Sequence, residues 1–186
     1  MSAGDDAHAW VLEAVDLYEL SLARYARRLL GDVDLAADAV QHAFVKLCAE
    51  PRERLEGRVA AWLFRVCRNR ALDHLRQSGR ERLLLDDSSV GSAAPAAPDS
   101  REPDPAASVE RADLARRLAT LLADLPAPQR ETIDLWCEGL TYRQIAEVTG
   151  RQEGHVRVLA HRGLTALRRH PLVRELLSDD ASVPVS

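Results

Sequence analysis

Apolar residues along the first third of the chain recur at intervals of three and four. Val11, Val15, Tyr18, Leu22, Tyr25 and Leu29 keep to one side of a helix, and Gly31 is placed to end it. Asp32 or Asp34 can cap a second helix whose apolar members include Ala36, Val40, Ala43, Phe44 and Leu47, with Pro51 just beyond. Residues 50–57 read as a charged loop. A third helix is expected from about Val59 to Gln77, with Leu63, Cys67, Ala71 and Leu75 as its apolar stripe.

From Asp86 to about Pro105 that periodicity is lost. Ser, Ala, Gly and Asp alternate with Pro95, Pro98, Pro103 and Pro105, a composition that cannot bury enough surface to offset its ordering entropy. This stretch is read as a flexible linker. Helical spacing returns at Val109, Leu114, Leu118, Leu121 and Leu125 and stops at Pro126. Pro128 suits the first turn of a helix running to Glu138 and closed by Gly139. Thr141 to Gln144 forms a capping box, Thr149-Gly150-Arg151 a tight turn, and a last helix runs to about Arg169, before Pro171. Neither strands nor internal repeats are expected. The fold class is therefore all-α, with two small helical domains. Residues 1–83 form the first, 84–107 an acidic Pro/Ala/Ser linker, 108–177 the second and 178–186 a disordered tail.

Composition narrows the function classes. With 46% hydrophobic and 29% charged residues, the 186-residue chain is a packed protein and not a disordered one. No apolar run approaches the roughly 20 residues of a membrane span, and the N-terminus lacks a signal peptide, so no membrane insertion and a cytoplasmic location are expected. Cys48, Cys67 and Cys137 make no CxxC pair, which leaves them as small buried or half-buried thiols. Asp38, His42 and Cys48 sit on an ordinary amphipathic helix without a Gly-rich loop. Hence no catalytic residue, metal ligand or cofactor is expected.

The net charge of −4 hides a pattern. Arg58 to Arg82 holds seven arginines against Asp73 and Glu81, and Thr141 to Arg174 seven arginines against Glu147 and Glu153. Each block is therefore about +5, and the seven acids against two arginines between Leu83 and Asp113 make the spacer about −5. Two basic blocks suggest two contacts with nucleic acid. The second block has the build of a helix-turn-helix. Ile145, Ala146 and Val148 would pack on Val156, Ala160, Gly163 and Leu167, which leaves His155, Arg157, His161, Arg162 and Arg168 exposed for a major groove. In the first block, Arg65, Asn69, Asp73 and Arg76, with Trp62 and Arg80, carry the groups that single-stranded or distorted DNA needs. By spacing alone a solvated face fits them as well, Asp73 can pair with Arg70 or Arg76, and Trp62 can equally serve the core.

The segment Trp62-Leu63-Phe64-Arg65-Val66-Cys67-Arg68-Asn69-Arg70-Ala71-Leu72-Asp73-His74-Leu75-Arg76 resembles the promoter −10-reading helix of sigma-70 family factors, in the extracytoplasmic-function (ECF) branch. Gly31-Asp32, Asp38, Val40-Gln41, Phe44 and Leu47 resemble the preceding helix, which in that family grips the β′ coiled coil of core RNA polymerase. Leu125-Pro126, Gln129-Arg130-Glu131, Gly139-Leu140-Thr141-Tyr142, Ile145-Ala146-Glu147, Gly150, Glu153-Gly154, Val156 and His161-Arg162 resemble sigma domain four, whose helix-turn-helix reads the −35 element.

The resemblance implies an alternative sigma factor without catalytic activity. It implies −10 contacts by Trp62, Arg65, Asn69, Asp73 and Arg76, and −35 contacts by Glu153, His155, Arg157, His161, Arg162 and Arg168. It also implies polymerase contacts by Asp38, Gln41 and Phe44. The implied partners are the β′ coiled coil and β flap of core RNA polymerase, promoter DNA and, as is common in that branch, an anti-sigma factor. This chain departs from the family at six positions. Gln152 stands at a usual Ser/Thr cap, Leu159 and Leu164 at commonly basic positions, Ala160 at a usually larger apolar one, and His42 and Cys48 at a usual acid and Trp. A helix-turn-helix regulator with a helical sensor domain is the alternative, and the Trp62–Arg76 pattern is what separates the two.

Overall fold

Helix α1 (Ala3–Leu30) ends where Gly31 turns left-handed at φ 69°, a conformation that a side chain would strain. Asp32 then caps α2 (Val33–Cys48), its carboxylate accepting from the backbone N–H of Asp34 at 2.9 Å and Leu35 at 3.0 Å. After Pro51 the expected loop contains one 3-10 turn, Arg52–Arg54, pinned by buried Leu55. Helix α3 spans Val59–Gln77, the range its spacing predicts. These three helices pack on each other around Leu22, Tyr25, Leu47, Leu63 and Phe64. The Tyr25 and Phe64 rings meet at 5.5 Å and a tilt of 57°. Each such side chain removed from water contributes about 1.5–3 kcal/mol.

The computed structural model describes residues 3–77, 79, 117 and 119–174. The expected linker at 84–107, its acidic charge, the stripe members Val109, Leu114 and Leu118, and the tail at 178–186 lie outside the described residues. Residues 119–123 are helical, with Leu121 buried. Helix α4 (Ala127–Cys137) begins behind Pro126 with Pro128 in its first turn. Helix α5 (Tyr142–Thr149) opens on the expected capping box. Thr141 Oγ1 accepts from Gln144 N at 3.3 Å, while Gln144 Oε1 accepts from Thr141 N at 2.9 Å. Gly150, at φ 70°, turns the chain into α6 (Glu153–Arg169). Gln152 gives that helix no side-chain cap. Every element among the described residues is helical, and no described helix is long and apolar enough to cross a membrane.

Two expectations need correction. Leu159 is not a surface residue: it is 1% exposed, three residues after buried Val156 and four before buried Gly163, so it completes the stripe of α6 that faces the core. Leu164, one position round from Gly163, is half-buried. Of the cysteines only Cys67 is buried, its thiol pushed up to about 12 by burial, while Cys48 and Cys137 are exposed at the C-terminal ends of α2 and α4. The two helical halves are in contact: α3 packs along α5, α1 meets α4, and buried apolar residues of both halves form one cluster.

Candidate nucleic-acid interface

Helix α3 is amphipathic in a way that sorts its polar residues into two sets. At about 100° per residue, Arg58, Trp62, Arg65, Asn69, Asp73 and Arg76 fall on one side, away from the stripe of Leu63, Cys67, Ala71 and Leu75. Asn69, Asp73 and Arg76 are exposed; Trp62 and Arg65 are half-buried, and Trp62 packs against the core cluster. Arg76 Nη1 donates to Asp73 Oδ1 at 2.9 Å, one of the two pairings the spacing allows, and so presents a guanidinium and a carboxylate together beside the free amide of Asn69. Such a face can pair phosphate and hydrogen-bond base edges.

Arg68 and Arg70 of this block are engaged with acids of other elements. Arg70 Nε donates to Asp38 Oδ2 of α2 at 2.8 Å, and His74 Nε2 approaches the same oxygen at 2.9 Å. Hydrogen bonds from Arg70 first and His74 second hold the Asp38 carboxyl below its ordinary value. Asp38 is therefore half-buried and braced by α3, not a free surface acid. Gln41 is exposed, and Phe44 is half-buried against the core cluster. The three residues share α2, but only Gln41 stands fully in solvent.

On the C-terminal side, α5 and α6 make the helix-turn-helix that the spacing predicts. Ile145 and Val148 are buried against Val156 and Ala160, with Ala146 and Leu167 half-buried. Gly163 lets α6 approach α4 closely, since a Cβ there would lie 2.6 Å from Ile133 Cδ1. His155, Arg157, His161, Arg162 and Arg168 are all exposed, and Glu153 is half-buried. The wheel puts His155 and Arg162 on one flank of the exposed arc and Arg157, His161 and Arg168 on the other, with Val158 between. Arg157 is pre-positioned: it donates to Glu153 Oε1 at 2.6 Å and lies 5.4 Å from the centre of the Tyr142 ring.

A buried polar cluster escaped the sequence reading. Glu131 of α4 is 3% exposed, and its Oε1 accepts from Arg68 Nε at 2.7 Å and from the Tyr25 hydroxyl at 2.9 Å. Its other oxygen accepts from Arg68 Nη2 at 3.3 Å and Arg151 Nη1 at 3.5 Å. Burial pushes the Glu131 carboxyl up, but the charge and hydrogen bond of Arg68, then Arg151 and Tyr25, outweigh it and hold the group below its ordinary value. Burial, and next the Glu131 charge, hold the Tyr25 phenol well above its own. Nearby, Arg24 Nη2 donates to Glu138 Oε2 at 2.7 Å, and Arg28 reaches both Glu138 and Asp134. The Arg28 Nε lies 2.9 Å from Asp134 Oδ1, but its N–H is not aimed along that line, so the contact is an ion pair without a hydrogen bond. The signal for this cluster lay in two charge stripes at helical spacing, Arg24 and Arg28 on α1 and Glu131 and Asp134 on α4 with Glu138 at its C-cap. Among the described residues no group of His, Cys, Asp and Glu is arranged to hold a metal ion.

Comparison with known families agrees with both halves. A family model described as Sigma-70 region 2 matches residues 14–81, and one described as Sigma-70, region 4 matches residues 115–167. The ECF RNA polymerase sigma factor SigL of Mycobacterium tuberculosis is 33% identical over 173 residues, 90% of this chain and 93% of that one. The RNA polymerase sigma factor CarQ of Myxococcus xanthus is 30% identical over 165 residues, 83% and 89% respectively. The ECF RNA polymerase sigma factor SigE of Mycolicibacterium smegmatis is 31% identical over 149 residues, 78% of this chain and 55% of that one. The chain thus spans about half the length of the SigE relative and most of the other two.

Proposed function

Since this chain belongs to the sigma-70 family of transcription-initiation subunits, in its ECF branch, we propose that it is an alternative sigma factor. It binds core RNA polymerase in the cytoplasm and directs the enzyme to promoters bearing a −10 and a −35 element, without catalytic activity of its own. The observation that carries this reading is the order of the two DNA-facing helices on one chain: the exposed Asn69, Asp73 and Arg76 of α3 within region 2, then the exposed arginines of α6 within region 4. A helix-turn-helix regulator with a sensor domain would have no use for the first of these.

The finer assignments extend what the family resemblance implies. Asn69, Asp73 and Arg76, with the 50–57 loop, hold a base of the −10 element flipped from its stack. Unstacking costs a few kcal/mol, which stacking at about 1–3 kcal/mol per base and hydrogen bonds must offset. Arg157 and His155, beside the start of α6 at Glu153, read base edges of the −35 element; Arg162 and Arg168 neutralise phosphate, with His161 on the Arg157 flank. Gln41 and Phe44, positioned by the braced Asp38, face the β′ coiled coil, and the second half meets the β flap. An anti-sigma factor is a further partner of this reading. In reconstituted transcription, Asn69→Ala is expected to impair open-complex formation more than closed-complex binding. Arg157→Ala should relax sequence preference at one or two −35 positions by about 1–3 kcal/mol. Equal loss of both complexes with Asn69→Ala would mean that α3 only holds duplex DNA.

A further inference from the structure

Helix α6 carries one apolar residue in a place that the core does not explain. Among the described residues, Val158 is the one large apolar side chain of this helix that stands exposed, at 43%, and it is not part of the buried apolar cluster. At about 100° per residue it faces away from the stripe of Val156, Leu159, Ala160 and Gly163. His155 and His161 flank it one turn before and after, and Arg162 follows four residues on. Four residues before it comes Gly154, and all of these neighbours are exposed.

Gly154 is the second observation. Its backbone does not need a glycine, since it is not among the glycines with positive φ, and a Cβ there would meet nothing within 4 Å. Gly163 of the same helix is the contrast, because its Cβ would strike Ile133. Glycine is less favourable than alanine in a helix, so nothing among the described residues accounts for Gly154. Helical side chains lean toward the N-terminus, and Val158 therefore leans over the position where Gly154 carries none. The result is a shallow notch in the first two turns of α6. The stiff, β-branched side chain of Val158 lines one side of it, Gly154 leaves its floor open, and imidazole and guanidinium groups surround it.

A protein partner is a poor fit for such a spot. A protein interface needs a contiguous apolar patch, whereas Val158 is single and ringed by basic residues. DNA meets both conditions: its phosphates complement the ring, and thymine alone of its four bases presents a methyl group in the major groove. We propose that Val158 and Gly154 make the part of α6 that selects thymine. The thymine 5-methyl group packs on the Val158 side chain, and the missing side chain of Gly154 lets the base edge come that close. This rests on α6 being the −35 reader and names what that reader prefers at one position. Uracil pairs as thymine does but lacks the methyl, so it isolates the contact from every other property of the base pair.

The test uses the full chain with core RNA polymerase and a duplex library randomised through the −35 segment. Each thymine of the selected sequence is then replaced singly by deoxyuridine, which removes the methyl and keeps the pairing. At one position the replacement should weaken competitive binding about fourfold, as expected for one buried methyl group. Val158→Ala should bind the thymine and uracil duplexes alike, while its sensitivity to the other −35 positions is retained. Gly154→Ala should lose the same thymine preference although its melting temperature stays level or rises, a direction that a supporting role in the fold would not give. A selected sequence whose thymines all tolerate uracil would overturn the proposal and leave α6 as a −35 reader. A thymine preference that survives Val158→Ala or Gly154→Ala would overturn it too. Selection of no −35 sequence by the unmutated protein would instead overturn the −35 reading, and the proposal with it.

Discussion

Glu131 is a carboxylate almost without access to water, and donors from α1, α3 and the turn before α6 make it tolerable. Removing one partner of such a group leaves the other charge buried and unpaired, which costs about 3–5 kcal/mol; replacing both by apolar residues of similar volume is often neutral. Chemical denaturation should therefore show Arg68→Met alone as strongly destabilising and Arg68→Met with Glu131→Leu as much less so. If the double variant were as unstable as the sum of the singles, the cluster would hold the fold through packing and not through its charges. Asp134 carries a different signature. Burial pushes its carboxyl up to about 6 against the pull of Arg28 on α1 and Arg130 on its own helix, with Glu131 and Glu138 adding to the rise. An acid whose folded value is raised binds its proton more tightly when folded, so stability should increase as pH falls through about 6 toward its unfolded value near 4. Between pH 7 and 5 that gain is about 1 kcal/mol. Glu131 and Glu138, held below their ordinary values, oppose it only at lower pH. Urea titrations at the two pH values should show the gain in the unmodified chain and lose it in Asp134→Asn; a gain that survives the substitution would assign it to another group.

Helix α6 shows how much an element's environment matters beyond its own spacing. Its exposed arc and the capping box that opens α5 are both legible in the residues, because polar spacing at 3.6 and a Thr-x-x-Gln pattern are local properties. Leu159 was placed on the surface by position in the family pattern, whereas its spacing from Val156 and Gly163 sets it in the stripe that packs inward. Leu159→Arg should therefore lower the melting temperature sharply and bring no gain in DNA affinity. Leu159→Ala should cost about 2–5 kcal/mol. Val158→Arg is the contrasting change: Val158 is 43% exposed in the middle of the exposed arc of α6. It should leave stability within about 0.5 kcal/mol and strengthen DNA binding in a salt-dependent way. A stable Leu159→Arg protein with tighter DNA binding would return Leu159 to the surface. Helix α3 gave up its limits and its apolar stripe to the same local reasoning. It did not give up the fates of its arginines, since Arg68 and Arg70 look alike in sequence and only long-range partners, Glu131 and Asp38, separate them from Arg65 and Arg76.

At the level of the whole molecule, the sequence made the two helical halves and their order readable because each has its own caps, periodicity and charge. The contact between the halves was not readable in the same way. It is carried by pairs such as Tyr25 with Glu131 and Arg24 with Glu138, more than one hundred residues apart, and by apolar residues that either half could have buried internally. The basic excess of each block, which suggested two nucleic-acid surfaces, is partly consumed by that contact and by Asp38, and among the described residues exposed basic side chains remain at Arg76 of α3 and along α6. The proposed function makes one central demand: that polymerase carrying the chain starts transcription where both elements occur together. Overproducing the chain in a bacterial host and mapping transcript 5′ ends tests this most directly. New start sites sharing one sequence near −10 and another near −35, at a fixed spacing, are the expected result, and they should vanish with a chain carrying both Asn69→Ala and Arg157→Ala. An absence of new start sites, or start sites without a shared pair of upstream elements, would contradict the account.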